Sequence, residues 1–206
     1  MRRWGRVAVA LAVLGCETGS GTGSVQSDHL FIDDCVDGPY SLGPSFFAAD
    51  PFTPADTMQF RLQRGDDIVD FSDGLVGLIR GVENVRAFGL GKPLALGVTD
   101  ATLPFGSPKT HVIPAVTLSL YLHDYCHPRT GTVYSVGGTI TFTALFSGDL
   151  NETNPDNLLT EAHFDAEMTD PRLIRRDGTY PPEFISRVTG NFSFLFQRGQ
   201  PAQPFP

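Results

Sequence analysis

Five stretches of this chain alternate apolar and polar residues with a period of two, and that pattern restricts the fold more than anything else in the sequence. Met58, Phe60 and Leu62 alternate with Gln59, Arg61 and Gln63. Val116, Leu118, Leu120 and Leu122 alternate with Thr117, Ser119, Tyr121 and His123. Ile140, Phe142, Ala144 and Phe146 follow the same rule, as do Ala162, Phe164, Ala166 and Met168, and finally Phe192, Phe194 and Phe196. Side chains along a strand point alternately to opposite faces, so each stretch offers one apolar face to a core and one polar face to water. That is the signature of an antiparallel sheet covered on one side.

Turn residues punctuate these strands. Asp73-Gly74 separates Ile68–Phe71 from Leu75–Ile79, and Gly137-Gly138 separates Thr132–Ser135 from Thr139–Phe146; both pairs favour tight hairpin loops. A helical stripe runs only through Leu75, Leu78, Ile79 and Val82, so at most one short helix is expected, near Val82–Phe88. Sixteen Phe and 22 Gly in 206 residues tilt the composition the same way. The reading is an all-β domain: an antiparallel β-sandwich of about seven to nine strands, with a partly open barrel as the alternative. The domain is expected over residues 28–198, with a Pro-rich tail at 199–206 that cannot continue a central strand.

The start of the chain has a different grammar. Arg2, Arg3 and Arg6 precede the apolar run Val7–Leu14, and Gly15 precedes Cys16. A basic start, a short apolar stretch and a small residue make a secretory signal peptide over residues 1–15. The run is much shorter than the roughly 20 residues of a spanning helix. Val13-Leu14-Gly15-Cys16 resembles the lipobox of bacterial lipoproteins. The resemblance implies that diacylglycerol is attached to the Cys16 thiol, that the preceding peptide is removed and that the new amino terminus is acylated. It also implies an exported chain held on a membrane; the outer membrane or cell surface is the expected one, although Glu17, which follows the cysteine, is sorted differently in different bacteria and leaves the choice open. Residues 16–27, rich in Gly, Ser and Thr, read as a flexible tether spanning roughly 20 Å. Within the domain, Gly138-Thr-Ile-Thr-Phe142 and Gly190-Asn-Phe-Ser-Phe194 loosely resemble predicted surface lipoproteins of social and predatory soil bacteria. That group brings no activity with it.

Charge and cysteines narrow the partners. Without Arg2, Arg3 and Arg6 the 15 basic residues become 12 against 23 acidic ones, a formal charge of −11. That excludes nucleic acid as a partner and gives no electrostatic grip on anionic lipid. With Cys16 assigned to lipid, Cys35 and Cys126 remain, and an oxidising compartment favours joining them. Two buried free thiols are the alternative.

Several constellations invite chemistry. His123-Asp124-Tyr125-Cys126-His127 contains metal-ligand types, but on a strand positions four apart lie about 13 Å from each other. Chelation by His123 and His127 therefore requires a sharp turn between them. Asp149, Asn151, Asn154 and Asp156 supply oxygens of the kind calcium takes, without EF-hand spacing; Asx- and Pro-rich turns look the same. Zinc at the histidines and calcium at Asp149, Asn151 and Asp156 are the metals to consider, and no other cofactor is indicated. Asp165 and Glu167 share a strand face roughly 6–7 Å apart, near the spacing of paired glycosidase carboxylates. Nucleophile elbows, Ser-x-x-Lys pairs and zinc-protease helices are missing from the sequence. Three functions remain open. The first is a non-catalytic lipid-anchored module that is structural or binds another envelope or extracellular component. The second is a carrier with an apolar cavity among Phe142, Phe146, Phe192, Phe194 and Phe196. The third is a metal-assisted envelope hydrolase.

Overall fold

A computed structural model describes residues 21–52, 56–65, 72–98, 103–104, 107 and 113–197. The strands are β1 (Gly21–Ile32), β2 (Val36–Leu42), β3 (Phe46–Phe52), β4 (Thr57–Gln63), β5 (Gly74–Arg80), β6 (Leu94–Ala95), β7 (Val116–Leu122), β8 (Gly131–Ala144), β9 (Leu159–Thr169) and β10 (Ser186–Leu195). All pair antiparallel, so the all-β expectation holds. Helix is confined to short pieces. One is a turn of α-helix, α1 (Val82–Asn84), that continues as a wider π turn over Val85–Gly89, where the sequence places its short helix. A second single turn, α2 (Pro155–Leu158), is capped by the Asn154 side chain.

The strands form one sheet in the order β2-β1-β10-β9-β8-β7-β5-β4-β3, with β6 added against β8, and it curls into a half-barrel. This is the partly open barrel of the two alternatives. β8 is the reason the hydrogen-bonded ladder never breaks into two sheets. Its first residues pair with β7, Ile140 and Thr139 pair with β6, and β9 lies along its other edge from Tyr134 to Ala144. The expected Gly137-Gly138 hairpin is therefore replaced by a bulge inside one strand. Gly138 has φ +94°, and a Cβ there would lie 2.1 Å from the Asp165 carbonyl oxygen. Only glycine lets β8 bend while keeping β9 this close.

The alternation does place the core. Met58, Phe60 and Leu62, Leu118 and Leu120, and Phe164, Ala166 and Met168 are all buried on the inner face. Because the sheet curls over, its walls meet: the Phe60 ring on β4 lies 4.9 Å from Phe192 on β10 and 6.1 Å from Phe142 on β8. The two edges come together where β2 passes into β3 through residues 43–45, and Phe47 on β3 stacks on Phe194 at 5.6 Å.

Two further expectations are corrected. Residues 21–27 are not tether but the first half of β1, paired with β10 from Gly21↔Phe194 to Gln26↔Thr189. Backbone pairing needs no particular side chain, and the Gly21 backbone sits where a Cβ would be 2.6 Å from that of Phe194. Asp73-Gly74 is not a two-residue turn either: Gly74 opens β5 opposite Gln63, and Asp73 is buried. The expected strand Ile68–Phe71, the expected signal peptide 1–15 and lipid-bearing Cys16, and the expected tail 199–206 lie outside the described residues.

Candidate interaction surfaces

The half-barrel has two dissimilar ends. At one, the β1–β2 turn and the β7–β8 turn are joined by a Cys35–Cys126 disulfide with Cα atoms 5.3 Å apart. Beside it the buried Asp73 carboxylate accepts from the backbone N–H groups of Asp124 and Tyr125 at 3.1 and 3.2 Å, and from Tyr40 Oη at 3.3 Å. Arg64 stands 3.9 Å from it at the surface. Burial, and then the charge of Asp73, push the Tyr40 hydroxyl well above the usual range, so it stays a donor. Asp170, also buried, caps the turn after β9 and takes both oxygens to Arg172 Nε at 3.0 Å. Arg172 Nη2 then donates to the Asp33 carbonyl at 2.9 Å, and Arg129 pairs with Asp34 at 3.1 Å. This end is cross-tied, with loops from four parts of the chain fixed to one another.

The opposite end holds the start of β1, the end of β10, the end of β8 and the start of β9, which are register neighbours. α1 and its π turn fold back over the far half of β8, with Gly91 N–H donating to Phe142 O at 2.8 Å. A shallow cleft of about 420 Å³ opens there between Glu83, Arg86 and Leu90 on one side and Ala144, Leu145 and Asp156 on the other. A second cleft, about 360 Å³ and polar, follows the irregularity of β1 at Ser27–Leu30, beside Asp28, His29 and Arg187.

The five residues considered for metal binding divide between these ends. His123 and His127 lie on the β7–β8 turn next to the disulfide, where His123 Nδ1 is 3.2 Å from Thr130 Oγ1 and its ring stacks on Tyr121. Asp149, Asn151 and Asp156 lie on the β8–β9 connection at the other end. There the side chains hold their own loop: Asp149 Oδ1 accepts from Asn151 N–H at 2.8 Å, and Asn154 Oδ1 from Asp156 N–H at 3.1 Å. Glu152 accepts from Asn154 and Thr153 N–H and from Asn157 Nδ2, and these bonds, that of Asn154 first, hold its carboxyl below the usual range. Among the described residues no three His, Cys, Asp or Glu side chains gather closely enough to bind an ion.

The Asp165–Glu167 pair has a different partner. Arg187 on β10 donates from Nε to Asp165 Oδ1 at 2.8 Å and from Nη2 to Oδ2, which keeps Asp165 ionised to below the usual carboxylate range. A general acid needs the reverse shift. Where the carrier reading needs a cavity, rings fill the space: Phe142, Phe146, Phe192 and Phe194 are buried, and Phe196 stacks on Phe146 at 4.1 Å.

Sequence reading missed Asp73, whose Asp-Gly context signals a turn, and Arg61, which is 2% exposed on the outer face of β4. Burial lowers the pKa of Arg61, and Tyr121 opposes that shift. Neither residue carries a local signal, because its surroundings come from strands far away in the chain. No protein-family model, curated protein or solved structure matches this chain. Among the described residues no helix is long and apolar enough to cross a membrane.

Proposed function

We infer that this chain is an exported bacterial lipoprotein whose half-barrel is a non-catalytic interaction or structural module of the cell envelope. The observation that carries the reading is the accounting of its three cysteines. Cys35 and Cys126 are bonded to each other, as an oxidising compartment allows. Cys16 is left at the end of Val13-Leu14-Gly15, behind a basic and apolar leader. The tightly filled Phe core and the cross-tied turns fit a rigid scaffold, and contact surface would come from its loops. The test is mass spectrometry of the full chain after expression in a Gram-negative host. The expected product begins at Cys16, carries diacylglycerol and amino-terminal acyl groups, and lacks the two hydrogens of the Cys35–Cys126 thiols. Cys16→Ser should release it from the membrane fraction. A mature chain beginning elsewhere, or a wild-type chain without lipid, refutes the reading.

A further inference from the structure

Among the described residues six large apolar side chains stand exposed; Tyr125 is at the disulfide end, whereas Phe88, Leu90, Leu150 and Leu195 lie at the opposite end. Leu195 directly follows Phe194, the register partner of Gly21. Leu90 flanks the cleft beside Ala144 and Asp156, Phe88 is two residues earlier, and Leu150 is on the β8–β9 connection at the same end. Phe88 is 69% exposed and Leu150 53%; single exposed apolar side chains are ordinary, but several gathered at one end mark a surface that something covers.

The position of Gly21 says what does. Only residues 17–20 separate Cys16 from β1, so five backbone steps, at most about 18 Å, connect a lipid-bearing Cys16 to this end. A headgroup layer about 5–8 Å thick takes up part of that reach. Gly21 is therefore held within about 10–13 Å of the headgroup surface, and the end the fold turns to the bilayer is the one with the exposed apolar side chains. Charge selects the lipid. Glu83, Asp149, Glu152 and Asp156 crowd this end against Arg86 and Lys92, which opposes an anionic surface. Within the cleft Arg86 sits among Glu83 and Asp156, a cation flanked by carboxylates that complements a zwitterionic headgroup.

The geometry points to this end, through Phe88, Leu90, Leu150 and Leu195, as a surface that seats on zwitterionic phospholipid of the membrane in which Cys16 is anchored. The inference rests on the lipoprotein reading. The full chain offers a clean probe, because its one tryptophan, Trp4, is in the segment expected to be removed. Phe88→Trp, Leu150→Trp and, as a control at the disulfide end, Tyr125→Trp are each purified after processing. They are then placed in phosphatidylcholine vesicles with or without bromine-labelled acyl chains. Emission from Trp at 88 and 150 should fall at least about twofold with the brominated lipid, since interfacial side chains reach about 5–10 Å into the acyl boundary, while Trp at 125 is unaffected. Replacing half the phosphatidylcholine by phosphatidylglycerol should weaken the quenching.

A lipidated chain in which positions 88 and 125 respond alike overturns this inference and leaves the anchor standing. Protection of position 88 from aqueous iodide without quenching by brominated lipid assigns the surface to another occupant and also overturns it. Stronger quenching in anionic vesicles overturns the choice of lipid. A chain that carries no lipid overturns the anchor, and this inference with it.

Discussion

Replacing Asp73 by alanine strips three hydrogen bonds from a carboxylate that is 0% exposed. A bond to a charged group contributes about 1.5–3 kcal/mol net when its surroundings are dry. The two backbone donors, Asp124 and Tyr125, belong to an exposed turn where water replaces part of what is lost, so about 1 kcal/mol each is the fitting share. The buried Tyr40 hydroxyl has less access to water and adds about 1 kcal/mol more. The expected cost is thus about 3 kcal/mol, out of a total near 5–15 kcal/mol for a domain of this kind. For a domain of this size that lowers the melting temperature by about 6–12 °C. Asp73→Asn should cost only about 1 kcal/mol, because its amide oxygen can still accept from both turn N–H groups while the Tyr40 bond is lost. The assay is urea unfolding followed by far-ultraviolet circular dichroism on Cys16→Ser protein with the disulfide intact. Equal losses for the two variants, or an alanine loss under about 0.5 kcal/mol, would refute the claim that Asp73 organises the β7–β8 turn.

Three other perturbations follow from the same geometry. Cys35→Ser with Cys126→Ser opens a link between residues 91 apart, and should cost about 4–5 kcal/mol by urea unfolding; a loss under about 1 kcal/mol would contradict the chain-entropy account. Gly138→Ala should cost about 2–4 kcal/mol and raise amide exchange along β8 and β9, since its Cβ meets backbone of Asp165 and Ala166 that cannot rotate away; unchanged exchange would count against the bulge. Arg187→Met should raise the Asp165 pKa toward its ordinary 3.8, read by carboxyl NMR titration. Because the folded value lies below the unfolded one, the Arg187 contact stabilises above the ordinary carboxylate range and is lost as pH falls through the folded value; the variant should lose less stability on acidification, and an identical acid profile would remove that role.

The strands legible in the sequence are those with one apolar and one polar face. β4, β7, β9 and β10 keep their period of two because each turns one side to the interior and the other outward, and that local rule needs no knowledge of neighbours. β1 was not legible. Its Gly, Ser and Thr residues match a coil, and only the open edge of β10 makes a strand of them. Gly137-Gly138 suits a tight turn and a bulge equally, and the choice falls to the bulge because β9 continues past it with Glu167 and Ala166 in place to pair.

The candidate sites divide in the same way. Cys35 and Cys126 could be paired from counting and compartment, while the contribution of Asp73 depends on backbone groups 51 and 52 residues away. The histidines and the Asx-rich loop looked like ligand sets because residue types were visible and their directions were not. The sequence by itself determined an all-β chain with an apolar inner face, a pairable cysteine couple and a third cysteine in a Val-Leu-Gly-Cys run that resembles a lipobox. The tertiary structure decided that one curled sheet, rather than two, encloses that face, since alternation records which side of a strand is buried but not which strand lies opposite. It also decided that the exposed apolar side chains of Phe88, Leu90, Leu150 and Leu195 share the end where β1 begins, because segments so far apart in sequence are brought to one end only through the pairing of β6, β8, β9, β10 and β1.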